Sequence, residues 1–475
     1  GIMLTLLGST FGGAKNFIAT FNDETTARQT KSCAVCTDSN DNIYVSAAMF
    51  YDSGNSQFYH ANFKVSKAGE LKATKGSVAG STMLVPRLNN HIKSNGNYVY
   101  SFYSGSDKLL IHELSGDFST TVSRKAGSTN NSSADFYNVD SCVWRPSNDH
   151  FYVAKWSSAG SSGQNELIHY NDSYSQQNAK NYTFQANSGT NGDRSYEAGG
   201  IAIDSSGNVY KGGSFAFTGY EGTMSKYNSS LTHQWTRSIR DGYNAGKLKD
   251  VAVDSNDNPY FCGFIEGLDC GFITKYNSSG TQQWIKYLRD RDDSKALFTS
   301  MHIDSNDNIY LGGSILEDGY PGGSFSGNQQ NIGVVVKYNT SGTKQWERGF
   351  SYTQTNIGFS NQQADQMPTS ITTDSQGNVI FLFAQHSNPA WYAGGTDKTS
   401  LRLAKIPADG SMTGTYSGGV EGNVKYAATD TTDTGYNPDY RTINLSTSSS
   451  INRYFINDTT SIDSISYPTD IAEIS

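Results

Sequence analysis

The chain has 475 residues, only 17% of them charged, a formal net charge of −8, 30 tyrosines and five cysteines. An acidic, charge-poor chain lacks the electrostatic footprint of a nucleic-acid binder, and no apolar run approaches the roughly 18 residues that a membrane helix needs. Five cysteines in so long a chain do not make a disulfide scaffold, so packed free thiols are expected at Cys33, Cys36, Cys142, Cys262 and Cys270.

In chain order, the first feature is Met3-Leu4-Thr5-Leu6-Leu7-Gly8, an apolar stretch with no strand candidates before it. Next comes Asp38-Ser39-Asn40-Asp41-Asn42-Ile43-Tyr44, a turn phrase between two short apolar runs. It returns at Asp204, Asp254, Asp304 and Asp374, and in weaker form with Lys93 and Pro146 in the Asp position. Each copy reads as strand, tight turn, strand. A second phrase follows within the clearer units, as Lys226-Tyr227-Asn228-Ser229-Ser230, Lys275-Tyr276-Asn277-Ser278-Ser279-Gly280 and Lys337-Tyr338-Asn339-Thr340-Ser341-Gly342. These lead to Trp235, Trp284 and Trp346. Asn, Ser and Gly again supply a hairpin turn, so each unit holds four strands, a to d.

Seven units at 38, 93, 146, 204, 254, 304 and 374 predict an all-β chain over residues 1–415. The expected architecture is a seven-bladed β-propeller of four-stranded antiparallel blades. The seventh unit has a c-strand at 401–406 and a turn at 407–410, but no Trp-bearing d-strand. The expectation is that a strand within residues 1–10 completes it and closes the ring. Residues 416–475, rich in Thr, Ser and Asn, read as an extended arm or strand addition on the propeller or on a neighbouring subunit.

Ile201 to Gly213, with the Lys-Tyr-Asn-Ser-Ser-Gly…Trp phrase, resembles the bacterial seven-bladed propeller repeat of SBBP type. Leu4-Thr5-Leu6-Leu7-Gly8 is similar to the end of that repeat's outer strand. The Asn/Ser/Tyr/Gly-rich composition resembles virion and tail proteins of marine bacteriophages. The resemblance implies a fold and leaves the activity open, because one fold hosts many functions.

The Asp-x-Asn-x-Asn spacing at Asp38, Asp254 and Asp304 offers two readings. It fits weak calcium sites, since hard cations take oxygen ligands at alternating positions. It equally fits turn chemistry, since Asp and Asn cap turns through backbone N–H groups. Without the bidentate Glu and flanking helices of a calcium loop, turn chemistry is favoured and no cofactor is expected. Cys33-Ala34-Val35-Cys36 has no second pair at zinc spacing. The sequons at Asn228, Asn277 and Asn339 fall in the c–d turn and are by-products of its chemistry. No nucleophile elbow or assignable Ser/His/Asp set is present, and His302 in an inner strand reads as packing.

Tight a–b and c–d turns share one face, so the variable b–c and d–a connections emerge on the other, where function is expected. Candidate ligand contacts there are Tyr51 and Tyr59 in unit 1, and Phe215 and Tyr220 in unit 4. Unit 6 adds Tyr320 and Phe325, the passage to unit 7 adds Tyr352, and unit 7 adds Trp391 and Tyr392. Aromatic rings among amides and hydroxyls suit a glycan or a protein partner. The leading expectation is therefore a non-catalytic structural or attachment protein, extracellular or on a virion. Its partners would be a glycan or protein receptor, or neighbouring subunits through the C-terminal arm, with no nucleic acid and no membrane span. The alternatives are a secreted polysaccharide-active enzyme, favoured by a carboxylate or His pair converging at the channel mouth, and a purely architectural protein.

Overall fold

The structure is a computed structural model. It describes residues 16–21, 30–50, 58–79, 89–104, 108–128, 139–157, 164–184, 199–216, 220–241, 244–265, 270–290, 296–318, 329–352, 367–386, 399–416, 424–429, 431–433, 439–442, 445–450, 454–457 and 469–474. Among these every regular element is a strand.

The first strand, β1 (Asn16–Phe21), belongs to the last blade. Blade 1 is β2 (Thr30–Thr37), β3 (Ile43–Phe50), β4 (Phe58–Val65) and β5 (Leu71–Ala79). Blade 2 is β6 (Asn89–Ile92), β7 (Tyr98–Ser104), β8 (Lys108–Leu114) and β9 (Thr121–Ser128). Blade 3 is β10 (Val139–Trp144), β11 (Phe151–Ser157), β12 (Gln164–Tyr170) and β13 (Gln176–Phe184). Blade 4 is β14 (Ile201–Ile203), β15 (Val209–Ala216), β16 (Tyr220–Tyr227) and β17 (His233–Asp241). Blade 5 is β18 (Asn244–Val253), β19 (Pro259–Ile265), β20 (Cys270–Tyr276) and β21 (Gln282–Asp290). Blade 6 is β22 (Ala296–Ile303), β23 (Ile309–Asp318), β24 (Gln329–Tyr338) and β25 (Lys344–Tyr352). Blade 7 is β26 (Thr369–Thr373), β27 (Val379–His386), β28 (Thr399–Ile406) and then β1. The innermost strands contact one another in sequence around the axis, and β26 meets β2 to complete the ring. The seven-bladed expectation holds.

The ring closes through β1, which pairs antiparallel with β28, Phe17 opposite Lys405 and Phe21 opposite Leu401. The place expected for Met3–Gly8 is thus taken by Asn16–Phe21, and Met3–Gly8 itself lies outside the described residues. The expected register also shifts once. In blade 3 the backbone of Arg145, not Pro146, closes the first turn, accepting from Asp149 N and donating to His150 O. Proline has no N–H to give, so that turn is one residue longer than its six counterparts.

The hydrophobic core is divided among seven clusters, one per blade-to-blade interface. Phe17, Phe21, Leu382 and Leu403 of blade 7 meet Val45, Ala61 and Phe63 of blade 1, for example. The other six interfaces carry equivalent clusters.

Turn residues couple these layers. In every a–b turn one residue has positive φ: Asp41, Gly96, Asp149, Gly207, Asp257, Asp307 and Gly377. Where that residue is Asp, it accepts both the backbone N–H and the hydroxyl of a serine in the preceding blade. The pairs are Ser375 to Asp41, Ser94 to Asp149, Ser205 to Asp257 and Ser255 to Asp307. Where it is Gly, no such clasp is possible, and the glycine spares the strain of the left-handed backbone.

The c–d turns show a volume exchange. Their positive-φ residues are Gly69, Phe118, Tyr174, Leu231, Gly280, Gly342 and Gly410. The facing d-strand positions of the preceding blades, set by cross-strand register, hold Phe17, Ala73, Ser123, Asn178, Trp235, Trp284 and Trp346. An aromatic ring meets glycine, and a small or polar side chain meets a bulky one. A Cβ on Gly280, Gly342 or Gly410 would lie 2.8 Å from the Trp ring of the blade before. Each Trp Nε1 also donates to a turn carbonyl of the next blade, at Ser278, Thr340 or Ala408. The c-strand lysines Lys226, Lys275 and Lys337 donate to the same oxygens.

The C-terminal segment runs around the rim. After β29 (Gly414–Tyr416), the strands β30 (Val424–Ala428), β31 (Thr431–Asp433), β32 (Asp439–Thr442), β33 (Leu445–Ser450) and β34 (Tyr454–Asn457) add to the outer strands of blades 6, 5, 4, 3 and 2 in turn. The last strand, β35 (Thr469–Ile474), pairs with β1 in blade 7. The arm thus lies on its own propeller as a belt that covers strand edges, which otherwise template association.

Candidate functional site

The two faces differ in the connections they carry. One bears the a–b turns, 38–42, 93–97, 145–150, 204–208, 254–258, 304–308 and 374–378, together with the c–d turns. The other bears b–c and d–a connections that range from 242–243 to 185–200 and 353–368. A rigid β scaffold with uniform turns below and unequal connections above places any recognition surface on the second face.

Of the nominated contacts, Tyr59, Phe215, Tyr220 and Tyr352 lie in strands at that face. Tyr59 is opposite Met49, Phe215 opposite Glu221, Tyr220 opposite Ala216, and Tyr352 opposite Val424 of the belt. Tyr51, Tyr320, Phe325, Trp391 and Tyr392 lie outside the described residues. The fold therefore brings the strand-borne four to one face, from blades 1, 4 and 6.

On the turn face, Asp38, Asp254 and Asp304 serve their own turns. Asp38 Oδ1 accepts from the backbone N–H of Asn40 and Asn42, and Oδ2 accepts from Asn42 Nδ2 and the Tyr44 hydroxyl. Asp254 takes the same partners at Asn256, Asn258 and Tyr260, and Asp304 takes Asn306 and Asn308. Burial, with the charge of Asp38 or Asp254 beside it, pushes the phenols of Tyr44 and Tyr260 well above their ordinary range, so both stay neutral donors. Among the described residues no group of three or more His, Cys, Asp or Glu side chains is arranged to hold a metal ion.

Around the axis, inner strands that splay apart cannot ladder, so side chains satisfy their backbone groups. Ser370 Oγ accepts from Val35 N at 3.1 Å. Asp250 accepts from Val251 N and Met301 N, both at 2.7 Å, and Asn89 Nδ2 donates to Cys142 O at 2.6 Å. His302 meets Thr373 Oγ1 of the next blade at 3.0 Å, and burial lowers its pKa to about 4, with Asp304 opposing. It is a neutral interface group, as the packing reading expects.

One cluster has the residue types of a hydrolytic triad: Ser94, Asp149 and His91. Both Ser94 Oγ, at 2.6 Å, and His91 Nε2, at 2.8 Å, bond to Asp149. A serine nucleophile needs the histidine between it and the acid; here the acid lies between. The same Ser–Asp pair without histidine joins three other interfaces, so this cluster is a blade clasp.

No family model and no curated protein matches the chain. The resemblance to SBBP-type repeats therefore rests on the turn phrases, that to phage tail proteins on composition, and the comparisons support neither. Among solved structures, the polysaccharide lyase Uly1 is similar at 10% identity and a TM-score of 0.42, covering 79% of this chain and 90% of that one. A protein of unknown function from Dyadobacter fermentans DSM 18053 is similar at the same identity and TM-score, covering 84% and 100%.

Proposed function

We propose that the protein is a non-catalytic binding module, displayed outside a cell or on a virion, that presents its loop-bearing face to a glycan or protein partner. The observation that carries this reading is the asymmetry between faces: near-identical turns on one, connections of very unequal length on the other. The conspicuous Ser, His and Asp groups of the described residues are spent on joining blades, which supports binding over chemistry. The reading requires no cofactor, so binding should survive chelation of divalent cations.

The test is a glycan array and an affinity capture with the whole chain, against a variant in which 319–328 and 387–398 are each replaced by a short Asn-Gly turn. Binding should be lost in the variant while its circular dichroism and melting temperature are retained. Unchanged binding would overturn the assignment of the face. Release of new reducing or unsaturated ends from a polysaccharide would replace the reading with an enzymatic one.

A further inference from the structure

The a–b turns carry a pair of opposite charges that repeats around the ring. One member opens the turn, and the other stands on strand c opposite the second residue of strand b. The pairs are Asp38 with Lys64, Asp204 with Lys226, Asp254 with Lys275, Asp304 with Lys337 and Asp374 with Lys405, and blade 2 reverses them as Lys93 with Glu113. Nitrogen and oxygen are 3.9 Å apart in Lys275–Asp254, 3.5 Å in Lys405–Asp374 and 3.3 Å in Lys93–Glu113. Blade 3 breaks the pattern. Arg145 opens its turn, His169 stands opposite Tyr152, and neither position holds a carboxylate. The second source of an acid is missing as well. Where Asp257 and Asp307 reach back across their joints, the equivalent residue of blade 4 is Gly207. A Cβ on Gly207 would lie 3.6 Å from Arg145 Nη1, so the absent side chain would have stood beside the guanidinium.

The basic groups at this joint form one connected set. Arg145 Nη2 donates to Asp204 O at 3.1 Å and Ser205 O at 3.0 Å, and the guanidinium bonds the Tyr152 hydroxyl. The Tyr152 ring stacks on His169 with centroids 4.3 Å apart, and His169 Nε2 lies 2.8 Å from His150 Nδ1. Both imidazoles are half-buried, and their other nitrogens, His150 Nε2 and His169 Nδ1, meet no partner among the described residues. Across the joint, Asp204 turns its carboxylate to Ser206, Asn208 and Tyr210 of its own blade. Burial, and then the charges of His150 and Arg145, lower the His169 pKa to about 4, as expected where cations gather without a counter-charge.

We propose that the joint of blades 3 and 4 binds an anionic ligand group, a sulfate, phosphate or carboxylate, on Arg145, His150 and His169, in place of the carboxylate that the sister joints supply from within the chain. Arginine offers a planar fork to such groups, and each imidazolium adds donors. A bound anion favours the protonated rings, so binding strengthens as pH falls through the imidazole range. A dication is disfavoured, because two nitrogens beside a guanidinium bring it no anionic ligand. The site lies on the turn face, away from the connections of the loop-bearing face.

Titration of the whole chain with sodium sulfate at about pH 5.5, with sodium chloride holding the ionic strength constant, tests this through imidazole NMR signals and calorimetry. The His150 and His169 signals should shift saturably, with affinity about tenfold weaker near pH 8. The same shifts with dextran sulfate identify a group carried on a polymer, shifts with sulfate alone a free ion, and either supports the proposal. Arg145→Gln should weaken binding about tenfold. The combination of Arg145→Asp, His150→Asn and His169→Lys rebuilds the sister pattern and should fold without a calorimetric response to sulfate. No saturable shift in the wild type, or an undiminished response in that combination, would overturn the proposal. Zinc chloride shifting the two signals where sulfate does not would also overturn it, in favour of a metal pair. If the combination does not fold, Arg145→Gln decides by the same comparison.

Discussion

The exchange of volume between d-strands and c–d turns can be tested by moving it from one interface to another. Trp235 is 7% exposed and lies against Gly280, whose φ is +83°. Trp235→Ala alone should cost about 3–5 kcal/mol, through the emptied slot and the lost bond to Ser278 O. Gly280→Leu alone places a Cβ 2.8 Å from both the Trp235 ring and Arg237 Nη2. It should cost about 1–2 kcal/mol for the left-handed backbone and about 1–3 kcal/mol for overpacking. In the double variant the leucine occupies the volume that the tryptophan left, as Leu231 does at the preceding interface with φ +59°. The double should therefore be more stable than the sum of the singles by at least roughly 2 kcal/mol. Urea denaturation of the four proteins, with slopes compared alongside midpoints, measures this coupling. Additivity within about 0.5 kcal/mol would refute the exchange.

Three further outcomes follow from the same structure. Asp307→Ala should lose both Ser255 bonds and strain the left-handed backbone, costing about 2–3 kcal/mol, whereas Asp307→Gly should cost about half as much; calorimetry finding Gly the worse substitution would sink the clasp. His60, buried against Tyr100 and Phe102 and bonded to Ser46 and Asn62, has its pKa lowered to about 3 by burial and by His112. Its folded pKa lies below the unfolded value of about 6.5, so its contribution is complete above pH 6.5 and declines as pH falls toward 3, by roughly 4–5 kcal/mol in full. A pH series of unfolding midpoints should therefore flatten in His60→Gln. Removal of residues 417–475 uncovers the outer strands of blades 2 to 6 and 7, and light scattering should show edge-to-edge oligomers; a monodisperse monomer with an unchanged melting temperature would contradict a guarding role for the belt.

The turn phrases were legible because their chemistry is local. Asp38 or Asn228 caps the N–H groups two and four residues on, so the motif spells its own geometry wherever it stands. That repetition gives blade count, strand order and the division into a plain face and a decorated one. The face-level placement of Tyr59, Phe215, Tyr220 and Tyr352 follows from the same alternation.

What tertiary structure alone decided is non-local. Asn16–Phe21 closes the ring through backbone pairing with β28, and backbone pairing leaves little mark on sequence. The sequence suggests a strand addition over 416–475, but its choice of this chain's own propeller and of each outer strand in turn is not written in it, since Thr- and Ser-rich strands dock on edges already formed. Asp41 looks like its neighbours in the phrase, yet its clasp to Ser375 joins adjacent blades whose residues lie far apart in the sequence. Sequence by itself fixes what a residue does to its own turn; partners across blades exist only once the ring has closed.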